Sequence, residues 1–397
     1  MRYDYKSISE LGKIITGKTP STSESENFDG DYPFITPSDI LTYDKRYIYN
    51  TERTISDIGK NKIKNNLLPE NSICVVSIGS TIGKICMTSK PSFTNQQINS
   101  LIPNEKNDPF YLFYILRGLK EYLQLVGGGT GSGKGIVNKN VFSKTKVNVL
   151  VDKADQLKVS NILRKYDDLI ENNESRINIL ESIISETYKE WFVKYRFPGY
   201  ENIEFVNGLP QKWRYEKLKK VADVIYGYSF NSELFTDVET EIPVVRIRDI
   251  PNGETKTYTT ETCDKKYLIE DDDILVGMDG LFHMCMWKNG KAYLNQRNLI
   301  VKKGKYGLSQ IYLYHSLYPQ IKYWEQVISG TTVAHLGEKH IKRISVVVPD
   351  ELIVKKFDDF SSPLVSEIKY LWKQNQNLKE QRESLINKLL TGKLIIE

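Results

Sequence analysis

The sequence predicts an α+β protein built from two similar globular domains, together with two long antiparallel helices that form a coiled coil. Three observations support this fold class. Several short sequence words recur 200 to 210 residues apart, as expected when a domain is duplicated. Two long stretches carry apolar side chains three or four positions apart, which is the spacing of one helix face. Each of these stretches follows a region in which short strand-like runs alternate with turn residues.

The repeat is clearest in four pairs of segments. Residues 11–17 match 221–227, residues 32–40 match 242–250, residues 72–79 match 273–280, and residues 93–97 match 293–297. The offset falls from 210 to 200 along the chain, as differences in loop length between two copies would produce. Strand-like runs at 72–78 and 343–348 and a helix-like run at 108–125 indicate that each copy is an α+β domain.

The predicted organisation is two domains, each followed by a helix. The boundaries are 1–151 for the first domain, 152–197 for the central helix, 198–350 for a connector and the second domain, and 351–397 for the C-terminal helix. The central helix is expected to stop near Phe197-Pro198-Gly199, because proline cannot continue a helix and glycine readily ends one. Antiparallel pairing is favoured because the domain between the helices must return the chain. Packing of each helix on its own domain is the alternative.

The seam between the helices is predicted from apolar spacing, which is nearly a strict heptad repeat between 360 and 389. Asn173 and Asn375 fill polar positions in the series, where they would fix the register at some cost in stability. The predicted seam residues are Ile162, Tyr166, Leu169, Asn173, Ile177, Leu180 and Ile184 on the first helix, and Phe360, Leu364, Ile368, Leu371, Asn375, Leu378, Leu385 and Leu389 on the second.

Composition predicts a cytoplasmic protein without a membrane partner. The 397 residues are 40% hydrophobic and 26% charged, and no apolar run approaches the roughly 20 residues that span a bilayer. The four cysteines form no C-x-x-C pair, so a disulfide framework is not expected. The net charge is +5, and residues 1–150 hold 19 Lys and Arg against 14 Asp and Glu. This balance permits a basic DNA-binding surface without requiring one.

Three motifs resemble catalytic or metal sites, but none of them has the full residue pattern that the chemistry needs. Residues 128–134 resemble a phosphate-binding loop, yet Gly135 stands where the Mg²⁺-binding hydroxyl should be. Residues 108–111 resemble a methyltransferase motif, but a helix cap followed by proline accounts for them. The histidines, including His335 and His340, lack metal-ligand spacing. The sequence therefore predicts no catalytic residue, no metal site and no cofactor in this chain.

The whole chain resembles the specificity subunit of type I restriction–modification systems. The most specific words are Glu190-Trp-Phe-Val-Lys-Tyr-Arg-Phe-Pro-Gly-Tyr200, Gly208-Leu-Pro-Gln-Lys-Trp213, and Leu389-Leu-Thr-Gly-Lys393. The words Ile78-Gly-Ser-Thr-Ile-Gly-Lys84 and Thr94-Asn-Gln-Gln97 also look like this family. The chain departs from the family pattern in having no G-L-P-x-x-W lead-in before its first domain. It departs again at Gly280-Leu-Phe-His-Met284, which stands where the first copy has Gly79-Ser-Thr-Ile-Gly83.

The resemblance implies a non-catalytic subunit in phage defence, whose two target-recognition domains each read half of a split target in double-stranded DNA. It implies docking of two DNA methyltransferase subunits and of restriction (translocase) subunits, with S-adenosylmethionine, ATP and Mg²⁺ serving those partners. A helix over residues 162–192 would be about 46 Å long, and successive major-groove faces lie about 34–36 Å apart. The helices are therefore expected to set the gap between the half-sites.

Polar and basic loop residues are the candidates for DNA contact. Arg246 and Arg248 alternate along a strand-like run and could both face one groove. Arg would read guanine and Gln would read adenine, whereas Lys and Thr would more often hold phosphate. The candidates are Lys18, Thr19, Ser21, Lys45, Arg46, Ser80, Thr81, Lys84, Gln96, Gln97, Tyr228, Ser229, Asn231, Arg246, Arg248, Asp279 and Arg297.

Two other functions remain open at this point. A coiled-coil scaffold that binds only protein, without DNA readout, would fit the modest charge. A nucleotide-hydrolysing enzyme built on residues 128–134 is the third possibility.

Overall fold

The computed structural model describes residues 1–40, 45–128, 135–239, 242–328 and 334–393. The chain forms two compact units, one made of residues 1–175 and 371–397 and the other of residues 176–370. Each unit contains one globular part and one segment from each of the two long helices. The domain boundaries inferred from sequence remain predictions, since these units divide the chain by contacts instead. The phosphate-loop-like residues 129–134 lie outside the described residues.

In the described residues up to the end of the central helix, the chain forms ten strands and six α-helices. The strands are β1 (Tyr3–Ser7), β2 (Gly12–Thr16), β3 (Phe28–Ile35), β4 (Tyr47–Ile48), β5 (Thr54–Ile55), β6 (Ile73–Val76), β7 (Ile85–Thr88), β8 (Phe93–Thr94), β9 (Ile98–Pro103) and β10 (Lys146–Leu150). The helices are α1 (Ile8–Leu11), α2 (Asp57–Lys62), α3 (Pro109–Arg117), α4 (Lys120–Gly128), α5 (Lys139–Lys144) and the long α6 (Lys153–Tyr188), which continues into the second unit.

The second unit repeats this pattern and is followed by the C-terminal helix. Its strands are β11 (Phe205–Val206), β12 (Leu209–Pro210), β13 (Arg214–Lys217), β14 (Asp223–Tyr226), β15 (Phe235–Thr236), β16 (Val244–Val245), β17 (Tyr258–Thr259), β18 (Leu268–Ile269), β19 (Ile274–Gly277), β20 (Met284–Met286), β21 (Ala292–Leu294), β22 (Asn298–Lys302) and β23 (Ser345–Val348). Its helices are α7 (Leu218–Val221), α8 (Gln310–Ile328) and α9 (Glu338–Ile341), and the long α10 (Glu351–Leu390) returns to the first unit.

The two copies share most of their sheet topology, but the first main sheet has one more strand and the two smaller sheets differ in their central strand. The main sheet has the order β2-β9-β6-β7-β4 in the first unit and β14-β22-β19-β20 in the second. A smaller mixed sheet, β5-β3-β8 in the first unit and β16-β21-β18 in the second, has one parallel pair in each copy. The pair β1 with β10 corresponds to β13 with β23. The predicted duplication of an α+β domain is therefore present in the structure.

The domain helix predicted over residues 108–125 is two helices in the first copy. Asp108 caps α3 by accepting a hydrogen bond from the Tyr111 amide, and Pro109 occupies the first turn, as the sequence indicated. Gly118 interrupts the helix, and a Cβ there would lie 2.2 Å from Leu390 Cδ1 of α10. The side chains of α3 from Tyr111 to Arg117 are all buried.

The long helices pair antiparallel within each unit, as predicted. In the first unit Asn173 Nδ2 donates to Asn375 Oδ1 at 2.9 Å, and Asn375 Nδ2 donates to the Ile170 carbonyl at 3.2 Å. In the second unit Arg176 Nη2 lies 2.6 Å from Glu367 Oε1. One hydrogen bond joins the two buried asparagines, and bonds of this kind between polar seam residues fix a register.

The predicted seam is wrong at two positions. Leu169 is 52% exposed and Phe360 is 41% exposed. The buried positions are one residue further along, at Leu163, Asp167 and Ile170 on α6 and at Ser361 on α10. The sequence pattern missed them because Asp167 and Ser361 are polar and broke the apolar series. Of the other predicted seam residues, six are buried (Asn173, Ile184, Ile368, Leu371, Asn375 and Leu389) and seven are half-buried (Ile162, Tyr166, Ile177, Leu180, Leu364, Leu378 and Leu385).

The exit from α6 is held by aromatic packing. A π-helical turn at Lys189–Val193 follows α6, and Gly199 then adopts a left-handed φ of 93°. Trp213 is 7% exposed and stacks on Phe197 with ring centroids 5.1 Å apart. It also packs on Phe192 at 5.9 Å. The motifs ending at Tyr200 and at Trp213 therefore join the main apolar core of the second unit.

Candidate nucleic-acid interface

In both copies, three connecting segments lie at the same end of the strands of the main sheet. The register places Thr16 opposite Asn99 and Val76 opposite Ile98, so β2 and β6 end where β9 begins. We call the segments 17–21, 77–84 and 95–97 loop edge 1. The second copy pairs Tyr226 with Leu299, and its segments 227–231, 278–283 and 295–297 form loop edge 2.

A shared set of contacts holds the two loop edges. Thr19 Oγ1 donates to Gln96 Oε1 at 2.7 Å, and in the second copy Ser229 Oγ donates to Gln296 Oε1 at 3.0 Å. A Cβ on Gly17 would lie 2.1 Å from the Asn95 carbonyl oxygen, and one on Gly227 would lie 1.9 Å from that of Asn295. Glycine is therefore required by close backbone approach at the same place in each copy. These contacts belong to the fold rather than to the differing surface.

Most of the first domain's candidates lie on loop edge 1. Four of them are exposed (Lys18, Ser21, Ser80 and Gln96) and three are half-buried (Thr19, Thr81 and Gln97). Lys84 is at the end of the same segment, but its Nζ donates to the Ile40 carbonyl at 2.8 Å. Lys45 is exposed and lies outside the three segments. The structure thus brings seven of the ten candidates together as an accessible polar surface.

Arg46 is not available for DNA contact. Its side chain is 8% exposed, and Nη2 lies 2.7 Å from Asp168 Oδ1 on α6. The guanidinium also lies over the rings of Tyr47 and Phe110, at 5.4 Å and 5.9 Å from their centroids. It therefore ties the first domain to the long helix. Position in a polar loop did not reveal this, because the partner Asp168 is 122 residues away.

On loop edge 2, Tyr228 and Asn231 are partly engaged by the fold. The Tyr228 hydroxyl donates to Glu261 Oε1 at 3.0 Å, and its ring packs 4.8 Å from that of Phe230. The Asn231 side chain accepts from the Glu233 amide at 3.0 Å and so caps the short 3₁₀ helix Ser232–Leu234. Ser229 remains exposed.

The prediction that Arg246 and Arg248 alternate along a strand is wrong. The strand β16 ends at Val245, and a 3₁₀ helix covers Ile247–Asn252. Arg246 donates from its backbone amide (2.8 Å) and from Nε (3.3 Å) to Asp249 Oδ2. The carboxylate therefore holds Arg246 to its own turn, while Arg248 stays exposed. A short strand followed by a tight turn has no signature in residue alternation.

Asp279 and Arg297 meet a residue that sequence reasoning did not select. Arg297 Nη1 donates to Asp279 Oδ2 at 2.6 Å, and His335 Nδ1 lies 2.6 Å from Asp279 Oδ1. Burial acts to raise the pKa of the Asp279 carboxyl, but the hydrogen bonds from His335 and Arg297 outweigh it and hold the pKa below its ordinary value. Asp279 and His335 also form an isolated backbone bridge. The sequence suggests His335 only as a possible metal ligand, and His335 is not among the residues predicted to contact DNA.

The described residues form neither a metal-binding cluster nor a membrane-spanning helix. Among them, no three His, Cys, Asp or Glu side chains lie close enough together to hold a metal ion. Across the same residues, no helix has the length and apolar character needed to cross a membrane. The structure places one polar loop edge on each of two similar α+β domains.

Comparison with known proteins gives the family. Residues 2–182 and 210–371 match the family described as the type I restriction modification DNA specificity domain, and the chain belongs to this family. It is 26% identical over 433 aligned residues to the MjaIX specificity subunit of Methanocaldococcus jannaschii, covering 100% of this chain and 94% of that protein. It is 28% identical over 203 residues to the EcoBI specificity subunit of Escherichia coli, covering 50% of this chain and 42% of that protein.

A solved structure supports the fold. The S subunit of a type I restriction–modification system from M. genitalium superposes with a TM-score of 0.55 at 16% identity, covering 98% of this chain and 96% of that one. The predictions of family and fold class are confirmed. The chain is a DNA sequence-recognition subunit of a type I restriction–modification system, as the sequence words ending at Tyr200 and Trp213 indicated.

Proposed function

We propose that each loop edge reads one half of a split target in double-stranded DNA. The observation that carries this proposal is a contrast within the repeat. The contacts that hold the loop edges recur in both copies, whereas the side chains at their surface differ. Lys18 corresponds to Tyr228 and Gln97 corresponds to Arg297. Two readers of one fold with different surfaces are what a bipartite, asymmetric target requires.

The side chains on the two edges suit different tasks. Gln and Arg can each make paired hydrogen bonds to a base edge in the major groove, to adenine and to guanine respectively. Lys18, Ser21 and Ser80 are better suited to hold phosphates, which position the protein without reading sequence. Arg46, Lys84 and Arg246 are left out of the DNA surface, because each is engaged by the fold.

The long helices would dock the partner subunits. Ile179 and Ile183 lie one turn apart on α6 and are 60% and 42% exposed, which is a costly surface to leave in water. We assign two methyltransferase subunits and the restriction (translocase) subunits to this assembly. S-adenosylmethionine, ATP and Mg²⁺ would serve those partners, and this chain would supply recognition without a catalytic site. A scaffold that binds protein only would use the same helix surface, so DNA readout is the property to test.

The test is methylation of a DNA library randomised in both half-sites, using this chain in complex with its methyltransferase partner. Lys18→Ala should weaken modification of all sequences and lower the salt dependence of binding by about one charge. Lys13→Ala is the matched control, because Lys13 is an exposed lysine on β2, near the end of that strand that lies away from loop edge 1. Gln97→Ala should instead relax base preference in one half-site only. If the complex with the unsubstituted chain showed no base preference at any position, a scaffold that binds only protein would be the better interpretation.

A further inference from the structure

We propose that Asp279 is a positioning residue that presents Arg297 to a guanine in the half-site read by the second domain. The inference rests on the proposed function and deepens it. Asp279 is the second residue after β19, Arg297 lies directly before β22, and His335 is in the segment between α8 and α9. These three residues, the Asp279 cluster, come together at loop edge 2 from sequence positions 18 and 56 residues apart.

The geometry of the cluster leaves the Arg297 guanidinium accessible to a ligand. The Asp279 side chain is 13% exposed, whereas that of Arg297 is 67% exposed. His335 occupies Oδ1 at 2.6 Å and Arg297 Nη1 occupies Oδ2 at 2.6 Å. Both carboxylate oxygens are thus engaged, and the carboxylate is fixed from two sides. The guanidinium has five N–H donors, so most of its donor fork remains for a ligand.

Fixing the guanidinium before binding matters energetically. A long exposed side chain loses rotamer freedom when a ligand immobilises it, which weakens the interaction. Arg297 is also held by its backbone, because its φ of 64° is left-handed and is tolerated only where the surrounding turn requires it. A short charge-assisted hydrogen bond to a partly buried carboxylate removes much of the remaining freedom in advance.

The neighbouring carboxylate favours a base over a phosphate as the target. A phosphate carries a full negative charge, and Asp279 beside the guanidinium would cancel much of its attraction. Guanine O6 and N7 are uncharged acceptors, whose recognition depends on two donors pointing in the correct direction. Asp279 supplies that direction. The carboxylate weakens the attraction of the guanidinium for a phosphate but fixes the direction of its N–H donors, as expected for a residue that binds a base.

The first copy shows that the cluster is not needed for the fold. The bridge between Asp279 and His335 has a counterpart between Ile78 and Ile136, and Arg297 has a counterpart in Gln97. The same backbone positions therefore carry an apolar pair and an amide in one domain, and three charged or polar groups in the other. Differences of this kind at equivalent positions are expected of residues that determine specificity.

The experiment uses the full chain with its methyltransferase partner and a DNA library randomised in both half-sites. Arg297→Gln should lower the preference for guanine at one position about 5- to 150-fold, the range for loss of a bidentate base contact. Asp279→Asn should relax the same position by a smaller factor, and the double variant should match Arg297→Gln alone. Lys303→Gln is the control. Lys303 is exposed, has a φ of 54°, and follows β22 at the end of that strand away from loop edge 2.

Three results would overturn the inference. A uniform loss over all sequences with a lower salt slope would make Arg297 a phosphate contact. Additive effects of Asp279→Asn and Arg297→Gln would mean that the carboxylate does not act through Arg297. Relaxed preference in the half-site read by the first domain would mean that Asp279 acts on the fold as a whole. Failure of the proposed function would look different, because the unmodified complex would then show no base preference in one half-site or in both.

Discussion

A buried ion pair between the long helices provides the sharpest test of how the first unit is stabilised. Arg382 Nη1 lies 2.6 Å from Asp167 Oδ1, and the two side chains are 0% and 1% exposed. The Tyr114 hydroxyl donates to Asp167 Oδ2 at 2.5 Å. On its other side, Arg382 Nη2 lies 3.0 Å from Glu383 Oε1. The network joins α6, α10 and the domain helix α3 at one point.

The protonation of the tyrosine follows from its surroundings. Burial raises the pKa of Tyr114 far above its ordinary value, and the charge of Asp167 adds to the rise. Tyr114 therefore remains a hydrogen-bond donor at any working pH, and Asp167 keeps two partners. Such a network is stable when complete, but removing one member leaves a charge buried without compensation.

We expect the two single substitutions to differ in cost. Breaking a buried pair costs about 3–5 kcal/mol. Asp167→Ala should lie near 3 kcal/mol in that range, because Arg382 keeps Glu383 as a partner. Arg382→Leu should lie near 5 kcal/mol, because Asp167 is left with only the neutral Tyr114 hydroxyl. The triple variant Asp167→Leu, Arg382→Leu, Tyr114→Phe should restore most of the stability, since an apolar replacement of similar volume removes every unpaired group.

Hydrogen exchange on the full chain measures these costs locally. The amides of residues 160–172 and 376–388 should exchange roughly 100-fold faster for the first variant and 1,000-fold or more faster for the second. The exposed pair Arg176–Glu367, with side chains 52% and 40% exposed, is the matched control on the same helices. Glu367→Ala should cost less than about 1 kcal/mol. A cost below about 1 kcal/mol for Asp167→Ala, or a triple variant less stable than either single one, would refute the reasoning.

Three further predictions follow from other parts of the structure. Burial, with Lys189 nearby, lowers the pKa of His315 to about 4 from the ordinary 6.5; the unfolded chain therefore binds the extra proton, and stability should fall by up to about 3 kcal/mol as the pH drops from 6.5 to 4. Urea unfolding of His315→Phe should lack this loss. Gly17→Ala should abolish base preference in the half-site of the first domain in the library assay, because its Cβ would lie 2.1 Å from a carbonyl oxygen, whereas Gly128→Ala meets nothing within 4 Å. Trp213→Ala should destabilise the second unit by about 3–5 kcal/mol in circular dichroism unfolding, and Trp213→Phe should cost clearly less.

Much of the fold could be predicted because the sequence contains it twice. Agreement between two copies separates fold from chance, and it identified the duplicated α+β domain. The helix-breaking Pro198 and Gly199 likewise marked the end of the central helix to within a few residues. These features depend on local chemistry or on repetition, and both can be read without knowing which elements meet.

Four of the errors share one physical cause. Asp167 lies in the helix seam, Arg46 binds Asp168, Arg246 binds Asp249, and His335 binds Asp279. In each case a polar residue has its role set by an ionic partner, and apart from Arg246 that partner is distant in sequence. A buried Asp interrupts the apolar spacing from which a helix seam is predicted. An Arg that forms an ion pair within the protein is counted among the loop charges as if it were available for DNA. Only the structure shows which charges are already neutralised within the protein.

The two ends of the helix pair carry different residues at equivalent seam positions. The repeat relates Asn173 to Asn375, so the counterpart of Arg382 on α6 is Leu180, which packs in the apolar core of the second unit. If two α6 helices from separate chains paired in this register, each Asp167 would face Leu180 and lose its cation. That costs several kcal/mol per site, while the pairing of α6 with α10 satisfies Asp167 completely. The buried ion pair therefore favours pairing of α6 with α10 over pairing of two α6 helices.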